Sequence, residues 1–290
     1  MFAGWNVLPA VTILAANPTA LSDGYSGAYQ AEVSYTAGSG ISQGSVMLGD
    51  LNTLQNRASY IGTFWRSENY SLLAGLDWQR FSFGLPSAAP LPNTLQSTSL
   101  RLGNEWGFAE NWTLRLEVEP GVYSDFHDIT GEDFNAPFSA RLTYAPNQNV
   151  SWIVGLNVNL WSDIPVVGGL GVRWRIVEAW TLSLILPRPR VEFKASDVLT
   201  LHAGAELKGG TYRVAEDFGR HTGLPALDGE IVDYREIRAG GGLRWRLHKN
   251  AALAAEAGWT IDRRFNFDDQ NLQLNGRGAP YIQFSINGTY

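Results

Sequence analysis

Three local groupings in the chain have the residue types that catalysis needs. Gly40-Ile41-Ser42-Gln43-Gly44 has the G-x-S-x-G order of a nucleophile elbow, but that chemistry needs a strand, a sharp turn and then a helix to lift the serine. The Gly/Ser-rich surroundings read as a loop with no helix following. His127 stands between Asp125 and Asp128, and His221 shares a segment with Asp217, Asp228, Glu230 and Asp233. An imidazole becomes a general base through its geometry toward a substrate proton, and nothing in either spacing supplies that. Solvated loop charge accounts for both, so the chain is read as a non-enzyme. The same loops carry Glu132, Asp133, Glu216, Asp268 and Asp269. Their oxygens would suit a hard divalent cation, but none follows the order of an EF-hand loop. No metal and no cofactor is expected, and with no cysteine there is neither a thiolate site nor a disulfide.

A larger set of polar residues recurs at every second position of segments whose intervening positions are apolar. It comprises Arg57, Asp77, Arg101, Glu105, Arg115, Glu117, Glu119, Arg141, Asn157, Arg173, Arg175, His202, Glu206, Lys208, Arg238, Arg244, Arg246 and Glu256. Alternation of this kind is the two-residue period of a strand with one wet and one apolar face. An Arg or Lys facing hydrocarbon costs about 2–4 kcal/mol at the midplane, so these residues are assigned to a polar interior. Two chemistries follow. One is a pore lining that sorts ions and small solutes; the other is a lumen cross-braced by ion pairs. The ten Arg or Lys against six Asp or Glu in this set give the interior a positive bias, although the whole chain carries a formal charge of −6. That overall charge speaks against a nucleic-acid partner.

The elements that hold this set are strands. Six short polar turns, at 67–69, 109–111, 147–149, 178–179, 196–197 and 249–250, each precede a fresh alternating segment, and longer loops rich in Pro, Gly and acid lie between them. From Trp112 the apolar positions run Trp112, Leu114, Leu116, Val118 against Thr113, Arg115, Glu117 and Glu119. Hydrophobic residues make up 44% and charged ones only 17%, but no unbroken apolar run reaches the 18 or so residues of a membrane helix. The fold predicted is all-β, a closed antiparallel transmembrane β-barrel of about fourteen strands over residues 29–290. The count falls to twelve if Leu186-Pro187-Arg188-Pro189-Arg190 is a broken strand and not a hairpin, because proline cannot donate to a ladder. Residues 1–28 read as a separate N-terminal extension, docked in or on the barrel. On the register assigned, Leu116 faces lipid and Glu117 the lumen, so Leu116→Arg is expected to harm stability far more than Glu117→Gln.

Aromatic residues cluster beside the short turns and the C-terminus: Tyr70, Trp106, Trp112, Tyr144, Trp152, Trp174, Trp180, Trp245 and Tyr290. Rings at that level form an interfacial girdle in membrane barrels. The last segment sets Ile282, Phe284, Ile286, Gly288 and Tyr290 against Tyr281, Gln283, Ser285, Asn287 and Thr289. It resembles the C-terminal strand of bacterial outer-membrane β-barrels of unknown function, ending here in Tyr where Phe is commoner. The resemblance implies an outer-membrane location, a bilayer and lipopolysaccharide as surroundings, recognition of the last strand by the barrel-assembly machinery, and other outer-membrane proteins as further partners. The function expected is a passive channel for small polar solutes. A structural or partner-binding barrel with a closed lumen stands second, and a hydrolase at the rim third.

Overall fold

The computed structural model describes residues 27–290, so the N-terminal extension lies almost wholly outside the described residues. The strands are β1 (Gly27–Gln43), β2 (Val46–Arg66), β3 (Tyr70–Gly84), β4 (Thr94–Ala109), β5 (Trp112–Val118), β6 (Gly121–Ser124), β7 (Phe134–Asn135), β8 (Phe138–Asn147) and β9 (Val150–Val158). They continue as β10 (Val166–Val177), β11 (Trp180–Leu184), β12 (Arg190–Lys194), β13 (Leu199–Arg213), β14 (Ile231–His248), β15 (Ala251–Phe267), β16 (Leu272–Gly276) and β17 (Pro280–Thr289). Interruptions at Pro120, Pro137 and 277–279 split three of the wall positions, so these segments make fourteen antiparallel strands. β1 pairs with β2 on one side and with β17 on the other, from Ala28↔Thr289 to Thr36↔Tyr281, which closes the sheet into a barrel. No described helix is long and apolar enough to cross a membrane.

The Pro187 region is a hairpin: β11 and β12 pair from Trp180↔Phe193 to Ser183↔Arg190, which gives fourteen strands and not twelve. Two segments differ from the sequence reading. Gly40–Gln43 belongs to β1, with the turn only at Gly44 (φ 57°), so the G-x-S-x-G match lies mostly in strand and carries no elbow. The last wall position begins at Leu272, well before the alternating segment from Tyr281, because β16 pairs with β15 before the break.

Outward positions are apolar and exposed, among them Leu76, Leu100, Val154, Leu170, Leu243 and Phe284. Inward positions divide by height. Toward the end formed by the short turns they are charged. Toward the end formed by the long loops they make a packed apolar core of Ile41, Leu51, Phe81, Phe83, Leu95, Tyr212, Val232, Tyr234, Phe265, Phe267 and Leu274, closed over by Ala89, Leu91 and Leu227 from the loops. Phe83 packs edge-on against Tyr234 and Phe265 at 5.2 and 5.0 Å, and Phe81 against Tyr212 at 6.5 Å. Because β3 and β13 stand far apart around the wall, these contacts mean that the loop end is pinched. A single parallel contact, Arg213↔Ser124, seals β13 against β6 across the lumen. A wholly polar lumen, as the alternation suggested, is therefore corrected: its loop-end half is a hydrophobic core.

Candidate functional site

Below that core lies a cavity of about 600 Å³ that reaches the short turns. Strand alternation sets its walls: β2 supplies Arg57, β4 Arg101 and Glu105, β5 Arg115, β8 Arg141, β10 Arg173, β13 His202, Glu206 and Lys208, β14 Arg244 and Arg246, and β15 Glu256. These predicted interior residues share one compartment. Eleven Arg or Lys and six Asp or Glu line it, so its charge is cationic overall.

The remaining predicted residues lie elsewhere on the inner face. Asp77 and Glu117 sit behind the cavity wall in ion pairs, Asp77 with Arg57 at 2.8 Å. Glu119 pairs with Arg101 at 3.2 Å, and Asn157 lies on β9 opposite Ser139 and Val167. Arg175 is exposed at the turn end. Arg238 is fully buried above the cavity, its guanidinium 4.8 Å from the Tyr281 ring centroid and paired with Glu236.

Between cavity and core the charges interlock. Lys208 reaches across the lumen from β13 to Glu32 of β1 at 2.5 Å, and donates to Gln55 of β2 and Gln283 of β17 at 2.8 and 2.7 Å. Arg188, from the β11–β12 hairpin tip, donates to Glu206 at 2.9 Å and approaches Glu32 at 3.4 Å. Arg101 donates to Glu117 at 2.9 Å, and Arg115 pairs with the same carboxylate. One level higher, Glu236 accepts from Tyr234 at 2.5 Å and Thr260 at 3.1 Å, next to Arg238. Burying ions is costly unless each finds a partner, and this lattice supplies the partners. On the cavity's side wall His202 and Tyr281 both engage Glu256, at 3.0 and 2.5 Å.

The turn-end half is less balanced. Arg173, Arg190, Arg244 and Arg246 face it with Glu192 as the acid among them, 2.8 Å from Arg190 and 3.6 Å from Arg244. At the mouth, a hydrogen bond from Lys194 at 2.8 Å holds the Asp197 carboxyl below the usual carboxylate range.

Sequence reasoning missed Glu32, Arg188, Arg190, Glu192, Glu236 and Arg263. The first was legible, because Glu32 alternates with Val33 and Tyr35 in β1. Arg188 and Arg190 were hidden by their prolines, and Arg263 by a shift of phase described below. Of the predicted aromatic belt, Trp106, Trp152, Trp174, Trp180, Trp245 and Tyr290 are exposed, and Tyr70, Trp112 and Tyr144 half-buried. Trp112 stacks on Tyr144 at 4.6 Å and Tyr60 on Tyr290 at 5.8 Å, which joins the belt across the barrel seam.

A family model, the Domain of unknown function (DUF6268), matches residues 71–289. The chain belongs to this family. The match spans the sequence from β3 through the closing strand, and so most of the cavity wall. No curated protein matches the sequence. Among solved structures, the chain is similar to a mutant of the monoaromatic hydrocarbon channel TodX, at 9% identity and a TM-score of 0.49 over 95% of this chain and 94% of that one. It is also similar to an outer membrane channel from Pseudomonas putida F1, at 8% identity and 0.47 over 92% and 96%. A FadL homologue from Pseudomonas aeruginosa is similar at 13% identity and 0.36 over 91% and 90%.

Proposed function

We propose that this DUF6268 barrel lies in the bacterial outer membrane, with its short turns toward the periplasm, and transports small polar solutes, anions in preference to cations. The observation that carries the reading is the cavity: a compartment inside a closed barrel, open to the short turns, with Arg173, Arg190, Arg244 and Arg246 around its lower half. Fixed charge in a confined passage concentrates counter-ions far more than the same charge exposed on a loop. The surrounding apolar face and its belt of rings suit a bilayer, with lipopolysaccharide beyond it, and the last strand suits the assembly machinery.

In a planar bilayer under a salt gradient, the reversal potential of the full chain is expected on the anion side. Arg244→Gln with Arg246→Gln should move it toward zero. Cation selectivity, unchanged by these substitutions, would show that the acidic loops govern passage. A second reading, a structural barrel with a closed lumen, is favoured by the Lys208–Glu32 lattice and the core above it; absence of any current at all would select it.

A further inference from the structure

The wall has a gap. β11 is five residues long and β12 five, whereas a strand needs about 9–11 residues to cross a bilayer. β10 therefore pairs with β11 only from Val172↔Leu184 downward. Arg175 N donates to Asn149 O and Asn159 N to Pro165 O, so the odd-numbered residues of β10 bond to β9. The even-numbered ones, Val166, Gly168 and Leu170, turn their backbone groups to the side where β11 has ended. Among the described residues no strand pairs with them there. On the far side, Ala205 and Leu207 of β13 bond to Pro189 and Pro187 of the hairpin tip, and the loop at 159–165 reaches β14 where Asp163 N donates to Asp233 at 3.3 Å. The opening is thus framed on all four sides.

Its height matters. Leu170 lies four residues from the belt residue Trp174, so at about 3.3 Å per residue along a tilted strand it sits roughly 10 Å inside the apolar band. Unpaired backbone is tolerated at that depth only where it borders a cavity or protein. The rim is apolar, with Leu170 82%, Val166 57%, Leu184 50% and Leu186 47% exposed. The space behind is open: a Cβ at Gly169, on the inner face, would meet nothing within 4 Å. Along one row of that inner face Gly169 neighbours Gly155, and Gly155 neighbours Arg141. Both row positions between the free edge and Arg141 are glycines, so neither puts a side chain in the way over a separation of two strand spacings, about 10 Å. Arg141 and the hairpin-tip residues Ile185 and Arg188 line the charged cavity from within.

We infer that this gap is a lateral portal between bilayer and cavity, and that it takes a single-chain anionic amphiphile, its head group at Arg141 and its tail running over Gly155 and Gly169 to the apolar rim. The inference rests on the barrel's membrane location as proposed above, and not on its conductance.

The chain has no cysteine, so single-cysteine variants of the full protein can carry a small fluorophore in phosphatidylcholine vesicles with brominated acyl chains. Gly169→Cys should be quenched by those chains, as should the outward control Leu243→Cys, while the cavity residue Ser285→Cys behind continuous wall should not. Quenching at 243 without quenching at 169 would overturn the portal; no quenching at either would overturn the membrane reading itself. Hydrogen exchange gives a variant-free check: the Gly168 and Leu170 amides should exchange far faster than those of paired Ile153 and Gly155. Equal protection would overturn the gap. For the ligand, nitroxide-labelled dodecanoate should show an immobilised, saturable fraction in protein-bearing vesicles. Arg141→Gln should weaken it about tenfold, Arg141→Lys less, and Gly169→Phe should abolish it. Indifference to both Arg141→Gln and Gly169→Phe would overturn the assignment of the amphiphile.

Discussion

Glu117 shows what a charge inside this barrel does. From alternation alone it is an inward acid in water, and its neutralisation should be mild. In the folded chain it is 8% exposed, with Arg101, itself 1% exposed, at 2.9 Å and Arg115 beside it. Removing one member of a buried ion pair leaves its partner uncompensated, at a cost of about 3–5 kcal/mol. Glu117→Gln should therefore destabilise the barrel about as much as Leu116→Arg, for which the lipid face sets about 2–4 kcal/mol. Denaturant midpoints of the two variants in vesicles measure this. A loss well under 1 kcal/mol for Glu117→Gln would mean that Glu119 and Glu105, already 3.2 and 3.6 Å from these arginines, take over the pairing. The inward direction of such residues was legible because a charge among alternating aliphatics has only one face to take. Their partners were not, since Lys208 and Glu32 are 176 positions apart in sequence.

Strands were legible wherever a single phase holds from end to end, as in β5 and β9. They were misread where a bulge changes the phase. In β15 the even positions Glu256 and Thr260 face inward, then Ile261 is inserted opposite the Ile237/Arg238 step, and the odd positions Arg263, Phe265 and Phe267 take over. β1 does the same between Thr36 and Ser39, so Thr36 and Ile41 share the interior. An extra residue increases local twist and bends the strand, and here it brings the loop-end halves inward onto one core. Read with one phase, those halves look like ordinary polar-lumen strands and the core is invisible. Gly209 in β13 is a separate irregularity, since the register with β14 runs unbroken through it: its φ is +136°, and a Cβ would stand 1.9 Å from Tyr234 O. Gly209→Ala should then cost about 1–3 kcal/mol and weaken the β13–β14 pairing that holds Lys208 over the lumen. Heat-modified migration on gels, followed with temperature, checks it. An unchanged midpoint would show that the strand relaxes without the left-handed residue.

At the scale of the whole molecule, the barrel has two closures in series above the Lys208–Glu32 bridge that roofs the cavity. The lower is the buried ionic layer of Glu236, Arg238 and Arg263, each 0% exposed, with Ser34, Thr36 and Thr53 donating or accepting around it. The upper is the aromatic core around Phe83, Tyr234 and Phe265. Opening one leaves the other intact, so each layer alone should suffice to hold axial passage down to the small anion-selective leak of the unaltered protein. Phe83→Ala with Phe265→Ala removes the rings that fill the upper layer, at about 3–5 kcal/mol each, and should leave single-channel current at the level of the unaltered protein. Arg238→Ser with Glu236→Ser removes both members of the central ion pair, which spares the chain an orphaned charge, and should likewise leave current unchanged. All four substitutions together, with Lys208→Gln and Glu32→Gln to take away the bridge beneath them, should raise it severalfold, provided gel mobility shows the barrel still folded. A rise from the aromatic pair alone would mean that ions already pass the ionic layer, and the axial route would then be the solute path. Without such a rise, an amphiphile that reaches the cavity has the side of the barrel, and not its top, as its way out.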